Sequence, residues 1–150
     1  MSTADAERIL EAARRLYAAT ERFDAAAARR LGTDRTALRA MNAMERGDVT
    51  PTALGAELGL TSGSVTALVD RLERAGHVVR LADPDDRRRR AVALSPSARA
   101  AADPLYARLG AEIGAAFATL DGPAREAARE ALETLARAFD RAAETIRRAP

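Results

Sequence analysis

The feature that most restricts the fold is the order of local signals between Thr50 and Ser95, TPTALGAELGLTSGSVTALVDRLERAGHVVRLADPDDRRRRAVALS. Residues 50–60 predict a short helix. Thr50 caps it, Pro51 occupies the first turn, where a missing N–H costs nothing, and Gly59 stops it. Residues 61–76 predict a second helix, capped by Thr61 and ended by Gly76, with Val65, Leu68, Val69 and Leu72 on one apolar stripe. HVVRLA (77–82) and RAVALS (90–95) are rich in valine and leucine and are parted by the turn-forming DPDD, so they predict the two strands of a hairpin.

Helices flank this block on both sides. From Ala6 to Leu31 the residues Ile9, Leu10, Ala13, Leu16, Tyr17, Thr20 and Phe23 recur at steps of three and four, and Gly32 ends the run. Thr33 or Asp34 can cap the next helix, which turns Leu38, Met41 and Met44 inward and closes at Gly47-Asp48. Ser95-Pro96 starts another helix, in which Pro104 is expected to force a kink or a restart. Leu105, Leu109, Ile113, Phe117 and Leu120 continue its apolar face to the break at Asp121-Gly122-Pro123. Over 123–148, Ala128, Leu132, Leu135, Phe139, Ala142 and Ile146 alternate steps of four and three, a narrow heptad-like seam. A helix of that length runs close to ~40 Å, more than one side of a small core needs, so the seam is read as a dimer contact and not as core packing.

The expected fold is mainly α with a small β-hairpin wing: one domain over residues 1–150, built from a winged helix-turn-helix (about 33–95) and N- and C-terminal dimerisation helices (about 5–31 and 97–148). In the helix-turn-helix the second helix is the candidate groove reader. With the apolar stripe of 61–76 inward, its opposite face shows Gly63, Thr66, Ala67, Asp70, Arg71 and Arg74, with Ser62 and Ser64 towards the edges. The first half of that face is small or hydroxylated; such residues let a helix sink into the major groove and bond to base edges or phosphates. A merely solvated helix would more typically carry long charged side chains from its first turn. Asp70 repels phosphate, so its expected task is to bond Arg74 or a neighbouring arginine and fix that side chain's direction. The wing, residues 83–90, would bring Arg87, Arg88 and Arg89 to the adjacent minor groove, where the potential is most negative. Asp86 can pair with Arg88 and stiffen the loop, while Asp83 and Asp85 cap its turn. Every basic residue of the chain is arginine, the planar fork suited to phosphates and base edges.

The segment LGLTSGSVTALVDRLERAGHVVRLADPDDRRRRAVALS resembles the signature region of the MarR family of bacterial transcription regulators. The carriers are Leu-Val-Asp-Arg-Leu-Glu at 68–73, and Asp-Pro-x-Asp-Arg-Arg followed by an apolar strand and a Leu-Ser helix start over 83–95. More loosely the likeness extends along the whole chain. It implies a homodimer held by the terminal helices, here through Ile9, Leu16, Leu132, Leu135, Phe139 and Ile146. It further implies binding to double-stranded, pseudo-palindromic operator DNA and repression by blocking polymerase, with two recognition helices about 34 Å apart. By motif position Arg87 or Arg88 enters the minor groove and Arg71 contacts phosphate, while Thr50 and Thr52 begin a helix whose free N–H groups suit a phosphate. Family members released by a small aromatic or phenolic acid suggest a pocket from Tyr17, Phe23, Met41, Met44 and Tyr106, with Arg14 or Arg39 meeting the carboxylate.

Other functions find little foothold. The chain has no cysteine and one histidine, His77, which excludes disulfides and thiolate metal sites and argues against a histidine-rich one. His77 is read as a half-buried strand residue. No nucleophile–base pair, phosphate-binding glycine loop or metal cluster points to an enzyme, and no cofactor is expected. No leader-like or membrane-spanning apolar run is visible, so a soluble cytoplasmic protein is expected. The competing reading is a winged-helix protein-interaction module, antirepressor-like, that has lost DNA binding.

Overall fold

The structure, a computed structural model, describes residues 2–82 and 90–148. The order is α1 (Thr3–Arg30), α2 (Arg35–Glu45), α3 (Pro51–Leu58), α4 (Ser62–Arg74), β1 (Val78–Ala82), β2 (Arg90–Leu94), α5 (Pro96–Phe117) and α6 (Gly122–Arg148). The chain divides into two compact units, Leu16–Ala107 and Met1–Arg15 with Arg108–Pro150.

In the first unit the local signals act as the sequence predicts. Of the two candidates Asp34 caps α2, accepting the Ala37 N–H at 2.9 Å. Thr50 caps α3 and Thr61 caps α4, each accepting an N–H three residues on. Gly76 closes α4 with a positive φ of 76°, a conformation that a residue with a Cβ rarely adopts. Its N–H reaches the Glu73 carbonyl and the next N–H, from His77, reaches Leu72, which satisfies two carbonyls the helix end would leave open. His77 is half-buried as expected, in the turn just before β1.

β1 and β2 pair antiparallel, with Val78 opposite Leu94 and Arg80 opposite Val92. Residues opposite each other share a face, so Arg80 lies on the same side of the hairpin as buried Val78, Val92 and Leu94. Val49 adds a further rung, exchanging both backbone hydrogen bonds with Val92. The main core gathers Met41 and Met44 from α2, Leu54 from α3, the Val65–Leu68–Val69–Leu72 stripe of α4 and the inward hairpin residues. A smaller cluster joins Ala27 and Ala28 of α1 to Leu38, with Phe23 and Leu105 packed against it.

Of the kink or restart expected at Pro104, the restart does not occur: the proline lies inside one continuous helix, α5. Pro104 and Ala100, whose carbonyl loses the N–H that proline lacks, are both exposed, so water can take the orphaned acceptor. At its start Ser95 is buried: its Oγ donates to the Gly76 carbonyl at 2.6 Å and accepts the Ala98 N–H at 3.1 Å. One hydroxyl thereby caps α5 and ties it to the turn that ends α4.

In the second unit α6 carries ion pairs along one side, where Arg129 bridges Glu126 and Glu133. No residue of α6 is buried. Leu132 and Phe139 are 49% and 54% exposed and Ile146 is 74% exposed, while Leu135 is half-buried. Ile9 of α1 is likewise half exposed, as is Leu16 at the start of the other unit. No helix among the described residues is long and apolar enough to cross a membrane.

Candidate nucleic-acid interface

The helix-turn-helix is drawn tight by Gly55. A Cβ there would stand 3.1 Å from Val65 Cγ2 and 3.2 Å from the Leu60 carbonyl, so the absence of a side chain sets how closely α3 meets α4. The Leu60 N–H returns to the Gly55 carbonyl at 2.9 Å and closes the turn. Leu54 and the four apolar residues of α4 are buried on the inner side, which turns the remaining side chains of α4 to solvent.

Ser62, Gly63, Ser64, Thr66 and Ala67 are all exposed, with open space around Gly63. Thr66 Oγ1 donates to the Ser62 carbonyl at 3.0 Å and Thr61 Oγ1 lies 3.0 Å from Ser64 Oγ, so these hydroxyls are held in place. Two depressions flank the row. One is shared by Thr52 of α3 with Ser62 and Thr66. The other runs between α4 and the start of α2, lined by Ser64, Ala67, Arg71 and Arg74 on one side and Asp34, Arg35 and Thr36 on the other. The exposed ridge is thus uncharged in its first two turns and carries arginine only beyond them.

The charged groups around the ridge are matched in a pattern the sequence does not announce. Asp70 bonds Arg80 of β1, with the Arg80 Nη2 at 2.5 Å from Oδ1, and the same guanidinium bonds Glu73. The Asp70 bond, with the two negative charges, holds the Arg80 pKa above its ordinary value. Of the partners considered for Asp70, then, the carboxylate takes a neighbouring arginine; Arg74 instead donates from Nε to the Asp70 backbone carbonyl at 3.2 Å. Arg71 reaches back to α2, its Nη1 at 2.5 Å from Asp34 Oδ2. The Ala37 N–H above all, and Arg71 as well, keep the Asp34 carboxyl below its usual range. Arg35 is tied to Glu21 of α1, which also accepts from Tyr17.

The wing residues Asp83, Asp85, Asp86, Arg87, Arg88 and Arg89 lie outside the described residues. Strands β1 and β2 bring the chain to that loop and away again beside α4.

The residues considered for an effector pocket are dispersed. Met41 and Met44 are 2% and 1% exposed within the main core. Phe23 and Tyr106 pack edge to face with ring centres 5.5 Å apart, and the Tyr106 hydroxyl donates to Asn42 Oδ1 at 2.6 Å. Tyr17 is mostly exposed, as are Arg39 and, in the other unit, Arg14. Sequence reasoning missed Arg80 altogether and took Asp34 for a cap alone. Only the alternation of β1, which sets Arg80 on the inner side with Val78, hinted at the first.

Residues 31–89 match the model of the MarR family. The chain is 51% identical over 77 residues to the HTH-type transcriptional regulator YcgE of Bacillus subtilis, a match covering 51% of this chain and 50% of that protein, about half its length. The fold resembles RV1404 from Mycobacterium tuberculosis, with a TM-score of 0.67 at 22% identity over 92% of this chain and 94% of the other. It also resembles FabT of Streptococcus pneumoniae, solved in complex with DNA, with a TM-score of 0.57 at 21% identity over 72% and 76% of the two chains. The family segment contains α3, its turn and α4, the elements that carry the small uncharged ridge. Over residues 31–89, which hold the helix-turn-helix, the chain is similar to the MarR family of transcription regulators, and its fold is that of their winged helix-turn-helix structures.

Proposed function

We propose that the protein is a cytoplasmic, homodimeric repressor that binds a pseudo-palindromic operator, with α4 in the major groove and the wing in the adjacent minor groove. The exposed, uncharged first half of α4 carries the reading: Ser62, Gly63, Ser64, Thr66 and Ala67 can approach base edges closely without a charge to desolvate. Thr50 and Thr52 at the start of α3, with Thr61, Arg71 and Arg74, are the phosphate-side contacts that set register. The likeness in fold to FabT, a protein solved with DNA bound, supports the same use of the same elements.

The apolar seam of α6 supports the proposed dimer: Leu132, Leu135, Phe139 and Ile146 recur at heptad spacing and none of them is fully buried. A small aromatic acid is the proposed effector. The part of the expected pocket that stays together is the half-buried Phe23–Tyr106 pair, and such a ligand acts only if it binds the DNA-free state more tightly.

The deciding experiment is a fluorescence anisotropy titration of the protein on promoter DNA at several salt concentrations. Affinity should fall steeply with salt, because phosphate contacts release counterions. Absent or salt-insensitive binding would favour a protein-interaction module instead. Replacing Arg87→Ala and Arg88→Ala together should weaken operator binding, by an amount read in the same titration, and leave the sedimentation of the dimer unchanged. Undiminished affinity would remove the wing from the mechanism.

A further inference from the structure

We propose that Asp34 is a specificity residue. By holding the Arg71 guanidinium in a locally neutral pair at the edge of the recognition helix, it removes that arginine from the sequence-independent attraction to phosphate. The proposal rests on the DNA-binding reading above and assigns a task to a residue outside α3 and α4, at the start of α2.

The geometry gives the two oxygens of Asp34 separate duties. Oδ1 accepts the Ala37 N–H at 2.9 Å and so caps α2, while Oδ2 lies 2.5 Å from Arg71 Nη1. The cap fixes the carboxylate whether or not Arg71 is present, so the arginine is not needed to start α2. Both side chains are about half exposed, at 53% and 47%, and an ion pair this open contributes little to folding. The pair does, however, change what a duplex meets.

Arg74, which lines the same depression with Ser64 and Ala67, makes the contrast. Its Nε bonds a backbone carbonyl, which carries no net charge, so Arg74 offers its full positive charge to a phosphate. Arg71 offers a phosphate a guanidinium accompanied by a carboxylate. Whether the pair travels intact to the DNA or opens on arrival, the local charge added is zero, and no net counterion is released for it. Asp34 thereby lowers affinity for any duplex. Direct contacts to base edges from the first half of α4 are untouched, so the ratio of operator to non-specific binding rises.

The test needs no knowledge of the operator. The probe is a mixed-sequence duplex of about 30 base pairs, titrated by anisotropy between about 50 and 200 mM salt, since non-specific binding isolates the phosphate contribution. The variants are Asp34→Asn, Arg71→Gln, their double and Arg74→Gln as a control. Asparagine caps a helix as well as aspartate does; Asp34→Ser repeats the measurement with a different cap, and circular dichroism checks that each variant is folded. Asp34→Asn should steepen the salt slope by about 0.9 and bind about tenfold tighter at 50 mM salt, falling to about threefold at 200 mM. That gain should vanish in the Arg71→Gln background. Arg74→Gln should make the slope shallower. An unchanged slope for Asp34→Asn, while Arg74→Gln behaves as expected, overturns the proposal and leaves the DNA-binding reading standing. An equal gain with Arg71→Gln also overturns it, because Asp34 would then be repelling phosphate directly. Salt-insensitive wild-type protein overturns the reading and the proposal together.

Discussion

Arg80 stands on the inner face of the hairpin, opposite Val92, and from there its guanidinium reaches over to Asp70 and Glu73 of α4. All three side chains are more than a third exposed, so removing Arg80 should cost well under about 1 kcal/mol of stability. Its effect on binding should be larger, because two carboxylates would then face phosphate without a counter-charge. Arg80→Ala is expected to weaken duplex binding about tenfold at 50 mM salt, and adding Asp70→Asn should restore most of it; anisotropy titrations of the three proteins check both. Asp34 also has a pH signature. Its folded pKa lies below the unfolded value near ~3.9, so the stability it contributes is complete above that pH and is lost as the pH falls through the folded value. The difference in urea midpoint between wild type and Asp34→Asn should therefore be small at pH 7, since asparagine also caps and the pair is open to solvent, and should shrink further below about pH 4. Neither Arg80 nor the Asp34–Arg71 pair was legible in the sequence. A cap is decided within three residues, whereas these pairs join elements whose approach depends on the whole core.

Among the elements, the junction of α4, β1 and α5 hangs on Ser95. Its hydroxyl satisfies the Gly76 carbonyl and the Ala98 N–H at once, in a buried position. Ser95→Ala should cost about 1–2 kcal/mol in urea unfolding, as loss of a cap, with more if the Gly76 carbonyl cannot find water. Element boundaries were largely legible: Thr50, Pro51 and Gly59 bracket α3, and Thr61 and Gly76 bracket α4, much as their types and spacing predict. The restart considered at Pro104 does not occur, because the penalty of an interior proline depends on whether the orphaned carbonyl is buried, and here its surroundings are exposed. The Val49–Val92 rung was also missed, since a single residue offers no periodicity to read.

At the scale of the whole molecule, α6 presents apolar side chains of which none is fully buried. Apolar residues at heptad spacing, all of them at least partly exposed, would supply the driving force for the proposed association. In the proposed homodimer, Leu135→Glu with Phe139→Glu should yield a monomer in analytical ultracentrifugation and weaken binding to the proposed operator, because two half-sites would no longer be engaged together. A double variant that still sediments as a dimer would move the interface to other residues. The winged helix-turn-helix in the unit Leu16–Ala107 has a core of its own, so the variant should keep its helical circular dichroism.

The chain alone determined where helices and strands begin and end and which face of α4 is small and hydroxylated. Caps, glycine stops and apolar periods act over a handful of residues through backbone sterics and local hydrogen bonds. Tertiary structure alone decided which charges around that face cancel and how far two methionines sink into the core. Ion pairs between α4 and α2, or α4 and β1, form only after burial of the shared apolar stripe has brought those surfaces together.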